Sequence, residues 1–101
     1  MIRHVVMWKF FAEAEGKTKQ ENMHLVQEQL YALVAKIPEI LRMEIGMDVK
    51  GTDASMDLML LTEFESVADM KIYAEHPEHK KVSVYVRRVI ESRVVLDAEI
   101  D

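Results

Sequence analysis

The chain contains no cysteine, which excludes disulfides, thiol nucleophiles and cysteine-based metal sites. Its three glycines and two prolines leave little material for linkers or disordered tails. At 101 residues it has room for one domain, expected to span 1–101. No apolar run approaches the roughly 20 residues that a membrane span requires. The opening Met1-Ile2-Arg3-His4-Val5-Val6-Met7-Trp8-Lys9 is too short and too interrupted by charge for a signal peptide. Positive charge is also scarce: 13 Lys and Arg stand against 18 Asp and Glu, a formal net charge of −5. The longest basic clusters, Lys80-Lys81 and Arg87-Arg88, lie in a helical pattern with acidic neighbours, so no basic face suits a nucleic acid. The expectation is a cytoplasmic protein with neither a membrane nor a nucleic-acid partner.

What the chain does contain is an ordinary globular balance, 50% hydrophobic and 31% charged. A domain this small hides only about two-thirds of its unfolded-chain surface, so association would add to a modest core. Ile2–Phe10 reads as a strand with apolar residues on both faces: Ile2, His4, Val6, Trp8 and Phe10 on one, Arg3, Val5, Met7 and Lys9 on the other. After a polar stretch, Glu13 to Lys19, the residues Met23, Val26, Leu30, Leu33, Val34 and Ile37 recur at three- and four-residue spacing, the mark of an amphipathic helix that Pro38 ends. Leu41 to Val49 alternates, with Leu41, Met43, Ile45, Met47 and Val49 on one side, as in a strand with one wet face.

The stretch from Lys50 to Ser55 is a loop, and Leu58 to Phe64 is a second strand with two apolar faces. Ser66 followed by Asp69 resembles a capping box at the start of a short helix reaching about Glu75, with Val67, Met70 and Tyr73 facing inward. Pro77 breaks that helix and opens another carrying Val82, Tyr85, Val86, Val89 and Ile90. Arg93 to Ala98 alternates as the last strand.

The order is strand, helix, strand, strand, helices, strand. This βαββαβ pattern is that of a ferredoxin-like α+β sandwich, a four-stranded antiparallel sheet with helices on one face. The first and third strands are then central and the other two are edges, in agreement with their two-faced and one-faced patterns. Helices cover one face only, so Val5, Met7, Met59 and Leu61 would form an exposed apolar patch on the other. Face-to-face pairing of two identical sheets solves that problem, and a two-fold homodimer is expected.

Four histidines, one tryptophan and three tyrosines are the groups available for chemistry. His76-Pro77-Glu78-His79 is the densest cluster, with Tyr73 three residues before His76. Histidine is the side chain most easily made an acid or base near neutral pH. Two histidines three apart can also ligate a metal, but no third or fourth ligand stands at a recognisable spacing, and none is expected. The bland reading is a helix–helix corner, in which one histidine caps a helix end and the other is solvated. His4, on an apolar strand face, has its own bland reading as a core residue bonded to a carbonyl or to a hydroxyl such as that of Tyr73. His24, Glu13, Glu15, Glu21 and Glu28 read as solvated groups, and the 8 methionines as adaptable packing. Trp8 and Phe64 read as core. No glycine-rich phosphate cradle and no serine nucleophile elbow is present.

Several segments resemble the stress-responsive α/β-barrel (Dabb) domain family. They are Ile2–Phe10, Lys36-Ile37-Pro38 leading into Glu44-Ile45-Gly46, Leu61-Thr62-Glu63-Phe64-Glu65-Ser66, Val94-Val95-Leu96-Asp97 and, most specifically, the run from Tyr73 through His76-Pro77-Glu78-His79 to Val82. The resemblance implies a ferredoxin-like fold whose sheets pair into a dimeric barrel. In a branch that closes polyketide chains without a cofactor, it implies His79 as a base that removes a proton next to a carbonyl. Tyr73 would orient that base or donate to the enolate oxygen, and His4 would line the same cavity. Val6, Trp8, Leu30 and Leu58 would supply apolar walls, with His76 beside the ligand. Leu30 and Leu58 are apolar where the plant cyclases of that branch place further polar residues, a departure that weighs against polyketide cyclisation itself.

Two functions compete. One is a small homodimer that binds an apolar or aromatic metabolite, with cofactor-free, cyclase- or aldol-like acid–base chemistry on it. The other is a non-catalytic stress or structural dimer. A heme- or quinone-handling relative is a distant third.

Overall fold

A computed structural model describes residues 1–101. Strand β1 spans Ile2–Phe10, and a two-residue hairpin, β2 Glu13–Ala14 and β3 Lys17–Thr18, follows. Helix α1 spans Lys19–Ala32 and runs into a 3₁₀ turn, Leu33–Ala35. Strand β4 is Arg42–Met47 and β5 is Leu58–Phe64; α2 (Val67–Glu75), α3 (Pro77–Val89) and β6 (Ile90–Glu99) complete the chain. The strands β4-β5-β1-β6 form one antiparallel sheet in that order, with the two-faced strands β1 and β5 at its centre. This is the ferredoxin-like arrangement, and the helices cover one face.

Register assigns every residue to a face, because side chains directly opposite each other in antiparallel strands point the same way. On the helix side, Val6 lies between Leu60 and Val95, and His4 between Thr62 and Asp97. There Phe10, Val26, Leu30, Leu33, Ile37, Leu60, Phe64 and Tyr73 form the heart of the core, all but excluded from solvent. On the other face Val5 lies between Leu61 and Leu96, and Met7 between Met59 and Val94. Toward one end this face turns polar. Arg3, Glu63 and Arg42 stand in one row across three strands, and the buried Glu63 carboxylate meets Arg3 at 2.8 Å and Arg42 at 3.7 Å.

Local chemistry sets several boundaries. Thr18 and Glu21 form a full capping box, which starts α1 earlier than its apolar spacing suggests. The expected polar stretch is therefore a hairpin tip followed by a helix start, with Glu15 and Gly16 both at positive φ in the turn. Asn22, fully buried, donates to Ala14 O at 3.0 Å and accepts from Tyr85 Oη at 2.6 Å, tying hairpin, α1 and α3 together. Ser66 caps α2 through the Asp69 amide, but the reciprocal bond of the expected box is absent. Val67, expected inward, is 61% exposed, because residues of the first turn project away from the sheet that α2 approaches with Tyr73. Val34 is exposed where α1 tightens into its 3₁₀ turn and rotates the stripe. Val49 lies outside β4, fully exposed in the loop, and Ile90 opens β6 rather than closing α3. At the β6 edge Val94, Val95 and Leu96 are all exposed, so this edge strand has two open faces rather than one.

Candidate functional site

The corner between α2 and α3 is built by three residues. Pro77 has no N–H to donate, which suits the first position of α3 and stops α2 two residues earlier. His76 caps α3, its Nδ1 accepting from the Glu78 amide at 3.1 Å. The end of α2 leaves carbonyls without helical donors, and His79 from the first turn of α3 reaches back to one of them, Nδ1 to Ala74 O at 3.1 Å. A carbonyl only accepts, so Nδ1 carries the hydrogen and, in the neutral ring, Nε2 carries the lone pair. His79 packs on Tyr73 with ring centroids 4.4 Å apart, and Tyr73 in turn lies against Phe64 at 5.1 Å.

Burial dominates the electrostatics. Desolvation pushes the His79 pKa below the ordinary histidine value, and His4, Arg93 and Arg87 add to the effect, against an opposing contribution from the Ala74 carbonyl. His79 is therefore neutral at pH 7. The Tyr73 phenol is pushed far up by burial alone, so its hydroxyl stays protonated and is a donor. That hydroxyl is buried and has no hydrogen-bond partner; the same holds for Trp8 Nε1 and Thr62 Oγ1. His4 stands 6.3 Å from Tyr73, centroid to centroid and edge-on, and its Nδ1 donates to the Asp97 carboxylate from the neighbouring strand.

These groups meet at a cleft of about 360 Å³ between the sheet and α3. His4, Tyr73 and His79 line it together with Val6, Trp8 and Leu30, so six of the residues singled out in the sequence converge there. Two do not. Leu58 is 2% exposed in the core, opposite Trp8 and Met47, and Leu60, one pleat along β5, takes the place on the wall. His76 is turned to its capping bond and stands outside the lining. The expected corner is present, with His76 as its cap, but its second histidine is half-buried on Tyr73 rather than solvated.

The sequence reading missed the α3–β6 side of the cleft, where Val82, Ser83, Val86, Arg87, Ile90 and Arg93 stand, as well as Asp97 behind His4. Spacing along α3 brings Val82 and Val86 to one stripe, which was legible; that the stripe borders a cavity was not. The structure gathers no three histidine, aspartate or glutamate side chains into a metal-holding group. No helix is long and apolar enough to cross a membrane.

A four-stranded antiparallel sheet under one helical layer, with a histidine-bearing cleft between them, defines a ferredoxin-like α+β protein. Residues 2–100 match the model of the Stress responsive A/B Barrel Domain (Dabb) family, and the chain belongs to that family. Among solved structures, a dimeric protein of unknown function with a ferredoxin-like fold from Bacteroides fragilis is 28% identical, with 98% of this chain and 95% of that one covered and a TM-score of 0.80. A dimeric ferredoxin-like protein of unknown function from Thermobifida fusca is 20% identical over 98% and 90% of the two chains, TM-score 0.83. The hydroxynitrile lyase of Passiflora edulis is 19% identical over 99% and 93%, TM-score 0.81, a likeness of fold. A comparison with curated proteins finds no match.

Proposed function

We propose that this chain is a homodimeric protein that binds an apolar or aromatic metabolite in the cleft and performs cofactor-free acid–base chemistry on it. One observation carries the reading: the Ala74 carbonyl fixes His79 Nδ1 as the donor, which leaves a neutral, desolvated Nε2 as a base beside a buried, unpartnered Tyr73 hydroxyl. Such a base removes a proton next to a ligand carbonyl. The Tyr73 hydroxyl donates to the oxygen on which negative charge then develops. His4, held by Asp97, keeps its Nε2 for the ligand. Trp8 and Leu30 supply apolar wall.

Pairing of two chains is supported by the uncovered sheet face, where Val5, Met7, Met59, Leu61, Val94 and Leu96 form an apolar patch of the kind that marks an interface. The Bacteroides and Thermobifida relatives are described as dimeric, which supports the same assembly here.

The test is exchange of the methyl hydrogens of an aryl methyl ketone, 4-hydroxyacetophenone, in deuterated buffer, followed by proton NMR. The protein is expected to accelerate exchange above the buffer rate, and His79→Ala to return it to that rate. Unchanged exchange in the variant removes His79 as the base. A wild type that neither binds nor exchanges the ketone favours the non-catalytic dimer.

A further inference from the structure

The five arginines divide by partner. Arg3 and Arg42 both meet Glu63, Arg42 also meets Glu44, and Arg88 meets Glu15 at 3.6 Å. Arg87 and Arg93 take part in none of the side-chain hydrogen bonds or ion pairs, and these two are the arginines that line the cleft. Carboxylates are in excess in this chain, 18 against 13 basic groups, so a shortage of acidic partners does not explain it. The last turn of α3 accounts for part of the placement, since a cation there complements the helix dipole. That argument covers Arg87 and not Arg93, which comes from β6, opposite Trp8. Two guanidinium groups from different elements thus reach one apolar cleft uncompensated.

We infer that the cleft selects an apolar or aromatic molecule bearing a carboxylate, which Arg87 and Arg93 hold at the rim while the body lies against Val6, Trp8, Leu60 and Val86. Planar guanidinium donors match a carboxylate in geometry as well as charge. Both arginines are exposed, which lets an anion arrive from solvent without first being desolvated. The apolar wall lies deeper and takes the ring. The volume, about 360 Å³, is at the small end of ligand sites and suits one ring with a short substituent. The same positive field bears on His79 and favours its neutral form. The inference rests on the reading of the cleft as a ligand site and adds the acidic group to it.

The test compares 4-propylbenzoate with 4-propylbenzamide, nearly the same shape without the charge, titrated into the intact protein. Trp8, the sole tryptophan, lines the cleft and reports binding by its fluorescence. The benzoate is expected to bind at least about tenfold tighter, the worth of one charge-assisted hydrogen bond. Arg87→Gln/Arg93→Gln is expected to abolish that preference while leaving the amide affinity within about twofold, which also shows that the variant is folded. Arg88→Gln is expected to keep the preference. Equal binding of the two probes by the wild type, or a preference that survives the double substitution, overturns the inference. If neither probe binds, the cleft is no ligand site, and both readings fall. Should the double variant lose the amide too, the single variants Arg87→Gln and Arg93→Gln decide by the same ratio.

Discussion

Replacing Tyr73 by phenylalanine removes one atom that the fold leaves without a partner. Burying a hydroxyl that forms no hydrogen bond costs about 1–3 kcal/mol in folded proteins. The ring itself keeps its contacts, 5.1 Å to Phe64 and 4.4 Å to His79 between centroids, and the space left behind is that of a single oxygen. Some dispersion is lost around that gap, which trims the gain. The net expectation is that Tyr73→Phe stabilises the protein by about 1 kcal/mol, a rise in Tm of about 4–8 °C for a domain of this size. Calorimetry at one fixed protein concentration measures it, since under the proposed pairing Tm depends on concentration. Under the proposed function the same variant slows exchange of the ketone probe, so stability and activity move in opposite directions. A variant destabilised by more than about 1 kcal/mol would refute the reasoning, because the hydroxyl would then be forming a bond worth keeping.

Three further outcomes are expected. Between the ordinary histidine value near 6.5 and the lower folded-state value of His79, the unfolded chain binds more protons than the folded one; stability is complete above that window and falls as pH drops through it. Urea midpoints measured against pH are expected to lose that part of the slope in His79→Gln, and a slope unchanged by the substitution contradicts the burial argument. Met7 and Leu96 are 38% and 64% exposed on the helix-free face, so Met7→Glu/Leu96→Glu is expected to leave the fold almost untouched but to split the proposed dimer, which sedimentation velocity at micromolar concentration detects. Asn22→Leu strands the Ala14 carbonyl and the Tyr85 hydroxyl, and is expected to cost about 2–3 kcal/mol in urea unfolding; a loss below about 0.5 kcal/mol would show that the hairpin and α3 do not depend on this bridge.

Much of the fold was legible because it depends on local chemistry. The two-faced patterns of β1 and β5 named the central strands, and Pro77 at the head of α3 followed from its missing N–H. The errors fall where tertiary packing overrules pattern. Val67 has the right spacing to be buried, yet α2 meets the sheet with its other end. Leu58 and Leu60 share one face of β5, are equally buried in the core and cannot be told apart by alternation; only the tertiary structure puts Leu60 on the cleft wall as well. Nothing in the local pattern marks Asn22, because its two partners come from residues 14 and 85.

The sequence by itself determined the order of the four long strands and the helices, the two-faced central strands and the α2–α3 corner, since strand alternation, helical spacing, caps and proline geometry act over a few residues. It also determined that a histidine would follow the proline within one helical turn, close enough to take a carbonyl of the preceding helix. That His4, Tyr73 and His79 share a cavity was implied by the family resemblance; only the tertiary structure decided that Asp97 backs His4 and that Arg87 and Arg93 stand in the cleft without carboxylates. These are relations between residues up to 93 positions apart. They are fixed by strand order, by register and by how α3 sits on the sheet, and no local pattern carries that information. Whether apolar residues fill a space or border one is likewise settled by the packing of whole elements, because a side chain that lines a cavity and one that closes it are chemically the same.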